Sequence, residues 1–205
     1  QASLTSDADL SLSGSILVND SGFLTLTSPS ILTLNEASDQ NVDLDGQSVW
    51  RLDVNNTGGG ANDDVIIAGG SLNTSGGLVI TLGNLDLTTN SQPLFSESGV
   101  TLADTAQATL TTNSNMSVSG AILVNNASTF TVTAGTLTLN DDSDQNVDFD
   151  FQPVFGLTVN NAGGGTRDDV IVNGGSLNVS GALIVTLGNL DLTTNSQPLF
   201  SESGV

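Results

Sequence analysis

The chain of 205 residues carries 22 acidic side chains against two basic ones, Arg51 and Arg167, for a formal net charge of −20. Such a surface repels nucleic acid, because phosphates are bound by the Lys and Arg that displace their counterions, and it repels anionic lipid headgroups. There is no Cys, so a disulfide framework and a thiolate metal site are excluded, and no run reaches the ~18 apolar residues of a membrane helix.

The elements read as strands from the first residues onward. Leu24-Thr25-Leu26-Thr27, Leu32-Thr33-Leu34-Asn35, Leu52-Asp53-Val54-Asn55 and Leu85-Asp86-Leu87-Thr88 alternate apolar and polar side chains. A period of two buries one face of a strand and wets the other. Between them stand Asn55-Asn56-Thr57-Gly58, Ala68-Gly69-Gly70 and Leu82-Gly83-Asn84, turn chemistry in which Gly and Asn tolerate positive φ. Hydrophobic residues make up 37% of the chain and sit in regular alternation, which argues against disorder. No stretch shows a helical period.

The second half of the chain repeats the first. Residues 81–100, TLGNLDLTTNSQPLFSESGV, return without a difference as residues 186–205, an offset of 105. At the same offset Asp39-Gln40-Asn41-Val42-Asp43 returns as Asp144-Gln145-Asn146-Val147-Asp148. Near the start the offset is 106, so the second copy has lost one residue before residue 140: Gln1-Ala2-Ser3-Leu4 becomes Gln107-Ala108-Thr109-Leu110. The organisation is therefore two units, residues 1–106 (with 101–106 as a junction segment) and 107–205, in one continuous body without a linker.

Two all-β architectures accommodate a unit of this length: an immunoglobulin-like sandwich in tandem and a β-solenoid of short stacked strands. Short strands, the 4% aromatic content and the missing linker favour the solenoid. The expectation is an all-β parallel β-helix with about five turns of roughly 20 residues per unit and a length of about 50 Å at ~4.8 Å per turn. Its core would hold the alternating Leu, Val and Ile together with Phe95 and Phe200, and Trp50, with Phe155 as its counterpart, would be an ordinary large core residue.

Asn73-Thr74-Ser75-Gly76-Gly77-Leu78 and Asp169-Val170-Ile171-Val172-Asn173-Gly174-Gly175-Ser176-Leu177 resemble the Asn/Gly/Thr-rich β-solenoid repeats of bacterial autotransporter and filamentous adhesin-like surface proteins. The resemblance implies a right-handed parallel β-helix, an extracellular or cell-surface location in bacteria, and a role as stalk, fibre or adhesive surface. Gly59-Gly60-Ala61-Asn62-Asp63-Asp64-Val65-Ile66-Ile67 is similar, more locally, to the calcium-binding RTX nonapeptide, where Asp carboxylates and turn carbonyls of successive turns share each Ca²⁺. That likeness implies Ca²⁺ at Asp63 and Asp64 and, in the second copy, at Asp168 and Asp169. Two departures stand against it: Asn62 and Arg167 occupy a Gly position, and the motif occurs once per unit rather than in consecutive turns. The alternative is a surface turn with solvated carboxylates.

Val42-Asp43-Leu44-Asp45 would place two carboxylates on one strand face, roughly 7 Å apart. With no His, Lys, Cys or Tyr, a Ser nucleophile lacks a base other than a carboxylate. Paired carboxylates can cleave glycosides, but here each pair occurs in both copies, which suits structure better than a single shaped cleft. The reading is not an enzyme. It is a structural repeat of a fibre, stalk or surface layer whose partner is itself, through head-to-tail assembly or further repeats of the same chain. The alternative is an adhesin or ligand-binding face for a glycan or for ice, since Leu24-Thr25-Leu26-Thr27 and Thr131-Val132-Thr133 turn Thr outward.

Overall fold

The computed structural model describes residues 2–18, 21–60 and 63–203. Asn62 of the Gly-rich turn, and the terminal Gln1, Gly204 and Val205, lie outside them. The chain winds as a parallel β-solenoid of about nine turns, each of ~22 residues. Every paired strand runs parallel to its neighbours in the turns below and above.

The turns lay short strands on three faces; on face C the turn before Gly156–Asn160 contributes only the isolated bridge of Val154 to Val179. Face A begins with Ser3–Ser6 and Phe23–Leu26 and ends with Gly156–Asn160 and Leu183–Leu187. Face B runs from Leu10–Leu12 through Ile31–Leu34 and Arg51–Asn55 to Asp169–Gly174 and Asn189–Asp191. Face C runs from Ile16–Leu17 through Gln40–Asp43 and Asp64–Gly69 to Leu177–Val179 and Leu199–Ser201. One strand, Leu78–Asp86, serves two faces. Its first residues pair on face B with Arg51–Asn55, and its last pair on face C with Asp64–Gly69. The bend falls at Gly83, whose φ of 88° and crowding against Asn56 and the Asp63 carbonyl leave no room for a Cβ.

The core follows from the alternation. Leu32, Leu52, Leu78, Val100 and Ile122 stack in register inside face B, each at most 1% exposed. Leu72, Leu94, Met116, Leu137 and Leu157 form the matching column inside face A. In a solenoid each apolar side chain rests on its equivalents one turn away, so one core runs the length of the rod.

Three expectations are corrected. Phe95 and Phe200 are not core residues: they are 45% and 60% exposed. The pleat decides this, because Leu94 and Ser96 point inward and the residue between them must point out. Trp50 is half-buried and lies outside the barrel against Gly76, where an added Cβ would come within 2.5 Å of the indole, and Phe155 is 44% exposed above Gly181. Asp43 and Asp45 do not share a strand face. The strand ends at Asp43, Asp45 adopts a φ of 51°, and its N–H donates to the Asp43 carboxylate at 2.9 Å. The same closed turn recurs at Asp148 and Asp150.

The sequence repeat is not a whole number of turns. From Ser3–Ser6 to Val100–Leu102 the described residues form thirteen strands, one spanning two faces, hence fourteen strand positions before the second copy opens with Ala108–Thr112. Fourteen positions on three faces are four and two-thirds turns. Each segment of the first copy therefore reappears on a different face. Arg51–Asn55 lies on face B but its counterpart Gly156–Asn160 lies on face A, and Leu94–Ser96 lies on face A but Leu199–Ser201 lies on face C.

Candidate functional surface

Several acidic residues are held by neighbours in successive turns. Asp39 accepts the N–H of Asp64 at 3.3 Å, and Asp64 accepts the side-chain amide of Asn84 at 2.8 Å. The side-chain oxygen of Asn84 in turn accepts the hydroxyls of Thr109 at 2.8 Å and Thr111 at 3.1 Å. This polar ladder climbs four turns on face C. It repeats on face B, where Asp144 accepts the N–H of Asp169 at 3.4 Å and Asp169 accepts from Asn189 at 2.9 Å. Side-chain amide donors thus meet the carboxylates that would otherwise repel one another.

Asp63 differs from Asp64. It is buried, at 7% exposure, and burial pushes its carboxyl above the ordinary 3.8, with Asp64 and then Asp39 adding to the rise against a lowering hydrogen bond from its own N–H. Asp168, its counterpart, is half-buried. Among the described residues no group of three or more His, Cys, Asp or Glu side chains is arranged to hold a metal ion.

Asp86 and Asp191 close tight turns. Burial alone would raise Asp86, but the Thr88 and Thr89 hydroxyls and the N–H groups of both residues together bring it below the ordinary value. Asp191, with Thr194 and then Thr193 as donors, is held well below it. Arg51 is clamped by Asp53 through two hydrogen bonds, of 2.6 and 3.0 Å.

Two glutamines, not singled out from the sequence, bind one turn to the next. Gln40 and Gln145 are buried, and the amide of each donates to two backbone carbonyls of the preceding turn: Leu12 and Gly14 for Gln40, Val118 and Gly120 for Gln145. The only signal in the sequence was their recurrence inside Asp-Gln-Asn-Val-Asp.

The exposed apolar residues form the other surface feature. Phe151, Phe155 and Phe200 are 63%, 44% and 60% exposed. Asn178 of face C pairs with Phe200 and its amide donates to the Phe151 carbonyl at 2.7 Å, while Phe155 lies against Gly181. The Thr-rich patch is small: Thr109 and Thr111 pair with Thr129 and Thr131 in the next turn, but the turn beneath presents Asn84 and Asp86.

The ends differ from the middle. Leu110 is fully buried, yet its counterpart Leu4 is 53% exposed, and Ile80 is fully buried while its counterpart Val185 is 46% exposed. At the N-terminal end an open cavity of about 340 Å³ is lined by Leu4, Leu10, Leu12, Ile16 and Val18.

This geometry defines the class: a parallel β-solenoid with one continuous, mainly aliphatic core, in which Phe130 and Phe149 stack, and a hydrogen-bonded acidic exterior. No family model matches the chain, and no match was found among curated proteins or solved structures.

Proposed function

We propose that this chain is a structural segment of an extracellular bacterial fibre, stalk or surface layer, extended end to end by further turns of the same kind. The observation that carries this is the junction between the copies, where Ala108–Thr112 of the second copy seats in register on Leu78–Asp86 of the first and the stack continues without a break. Where the copies meet, Leu85 pairs with Leu110 and both are fully buried, so one copy closes over the other. An exposed turn also presents unpaired backbone groups, a template for another strand. Electron microscopy of the native material tests the reading: filaments or rods many times longer than nine turns support it, and compact particles refute it.

Calcium belongs to the same proposal as a stabiliser near Asp63 and Asp64 and near Asp168 and Asp169. What supports it is the turn at Gly59 and Gly60, both at a φ of 70°, leading into a buried carboxylate with two acidic neighbours. Calorimetric titration with Ca²⁺ after EDTA treatment decides this. The absence of heat and of any change in Tm makes these residues ordinary turn carboxylates.

A second reading, an adhesive face for neutral sugar rings, is favoured by the exposed Phe151 and Phe200 beside the Asn178 side-chain amide. Aromatic rings with polar neighbours offer a stacking surface with one wet edge. A glycan array probed with the chain and with Phe200→Ala separates this reading from the first: loss of a bound signal on substitution supports adhesion.

A further inference from the structure

The junction between the two copies is a template for what covers the C-terminal end. Inside the chain, the turn of residues 84–102 lies directly beneath the turn of residues 109–124. Asn84 pairs with Thr109, Leu85 with Leu110, Leu94 with Met116 and Val100 with Ile122. Residues 186–205 repeat residues 81–100 without a difference, so the upper surface of the last turn has the side chains that already seat a copy of the repeat. In the junction those side chains are sealed, Leu85 and Leu87 being fully buried, whereas Leu190 and Leu192 are only partly buried.

We infer that the C-terminal turn is the seat for a further copy of this repeat in the same polypeptide, joined by a segment like Thr101–Ala106 and turned by two faces of the prism. The inference rests on the fibre reading and specifies its register: Asn189 pairs with the new copy's counterpart of Thr109, and Leu190 with that of Leu110. The rotation follows from the fourteen strand positions per repeat. Phe95 stands on face A and Phe200 on face C, so the third copy's counterpart stands on face B, and only the fourth returns to face A. At ~4.8 Å per turn, successive copies climb about 22 Å. A surface feature carried by the repeat is thus displayed on all three sides of the rod in turn, and no single side collects it. Such a rod offers partners the same chemistry from every direction.

The test is the 205-residue chain extended by the hexapeptide of residues 101–106 and a third copy. Cys replaces Asn189 and the third copy's counterpart of Thr109. The chain has no native Cys, so a bond between the two is unambiguous, and adjacent strands at ~4.8 Å lie within disulfide reach. Asn84→Cys with Thr109→Cys is the positive control. The expected result is a disulfide as complete as in the control, with hydrogen exchange in residues 185–192 slowed by about tenfold or more. A disulfide from Phe200→Cys, on the last strand of face C, to the same partner would reveal stacking without rotation and would overturn the inference. So would fast exchange in 185–192 while the third copy is folded. If the long chain does not fold, an extension by the single turn of residues 101–124 gives the same exchange readout. Native material without filaments would refute the fibre reading yet leave this seating intact.

Discussion

At the scale of single residues, the acidic side chains fall into two opposed groups. The raised carboxyl of Asp63 costs stability when charged. That cost is absent below the ordinary value of 3.8 and complete above its raised folded value. Asp63→Asn is therefore expected to raise Tm at pH 7, and the gain should vanish as the pH approaches 3.8; melting curves across this range check it. Asp86 has the opposite sign. Its depressed carboxyl stabilises the fold above the ordinary 3.8, and this contribution is lost as the pH falls through the lower folded value. Thr89→Val removes one hydroxyl donor to a charged acceptor, at a cost of about 1–2 kcal/mol near neutrality. The midpoint of acid unfolding, followed by circular dichroism, should move to higher pH.

At the scale of elements, strands are fixed by what lies in the turns next to them. Gly14 and Gly120 occupy the same place in the repeat, but a Cβ at Gly14 meets nothing within 4 Å, whereas one at Gly120 would come within 2.4 Å of the Ser98 backbone. Gly120→Ala is expected to cost about 1–3 kcal/mol, as overpacking does, and Gly14→Ala to be close to neutral; urea denaturation of both variants checks the pair. The apolar rows follow the same logic. Leu102 is fully buried and its neighbour in the next turn, Val124, is 1% exposed, while Leu123 points out at 41%. Leu102→Ala should cost about 2–5 kcal/mol, and Leu123→Ala should stay within about 0.5 kcal/mol of the parent.

At the scale of the whole molecule, charge and continuity dominate. Nine turns at ~4.8 Å give a rod of about 43 Å, and a net charge of −20 is spread along it. Self-repulsion on such a surface is screened by salt within a Debye length of ~8 Å at physiological ionic strength. Tm is expected to rise as NaCl is raised from ~0.01 to ~0.15 M. Calcium at matched ionic strength gives a further rise only where a site binds it specifically, so scanning calorimetry in the two salts separates screening from binding.

The strands, their alternation and the aliphatic core were legible in the sequence, because burial on one face of a pleated strand imposes a period of two that Leu, Val, Ile and Thr display openly. The repeat was legible too, being a matter of identity between residues 81–100 and 186–205. Phe95 was misplaced because size alone suggests the core, whereas the pleat, fixed by Leu94 and Ser96, turns it outward. Asp43 and Asp45 were placed on one face because strand geometry was carried past the strand's end, where a positive φ at Asp45 breaks it. The stacking partners lay beyond reach: that Asp64 meets Asn84, that Gln40 clamps the carbonyls of Leu12 and Gly14, or that identical segments stand on different faces. These depend on residues about one turn apart in the chain coming together, and on how many strand positions fit into one repeat. The sequence determined which side of each strand is buried, through local alternation; only the winding of the chain decided which turns touch and which way each copy faces.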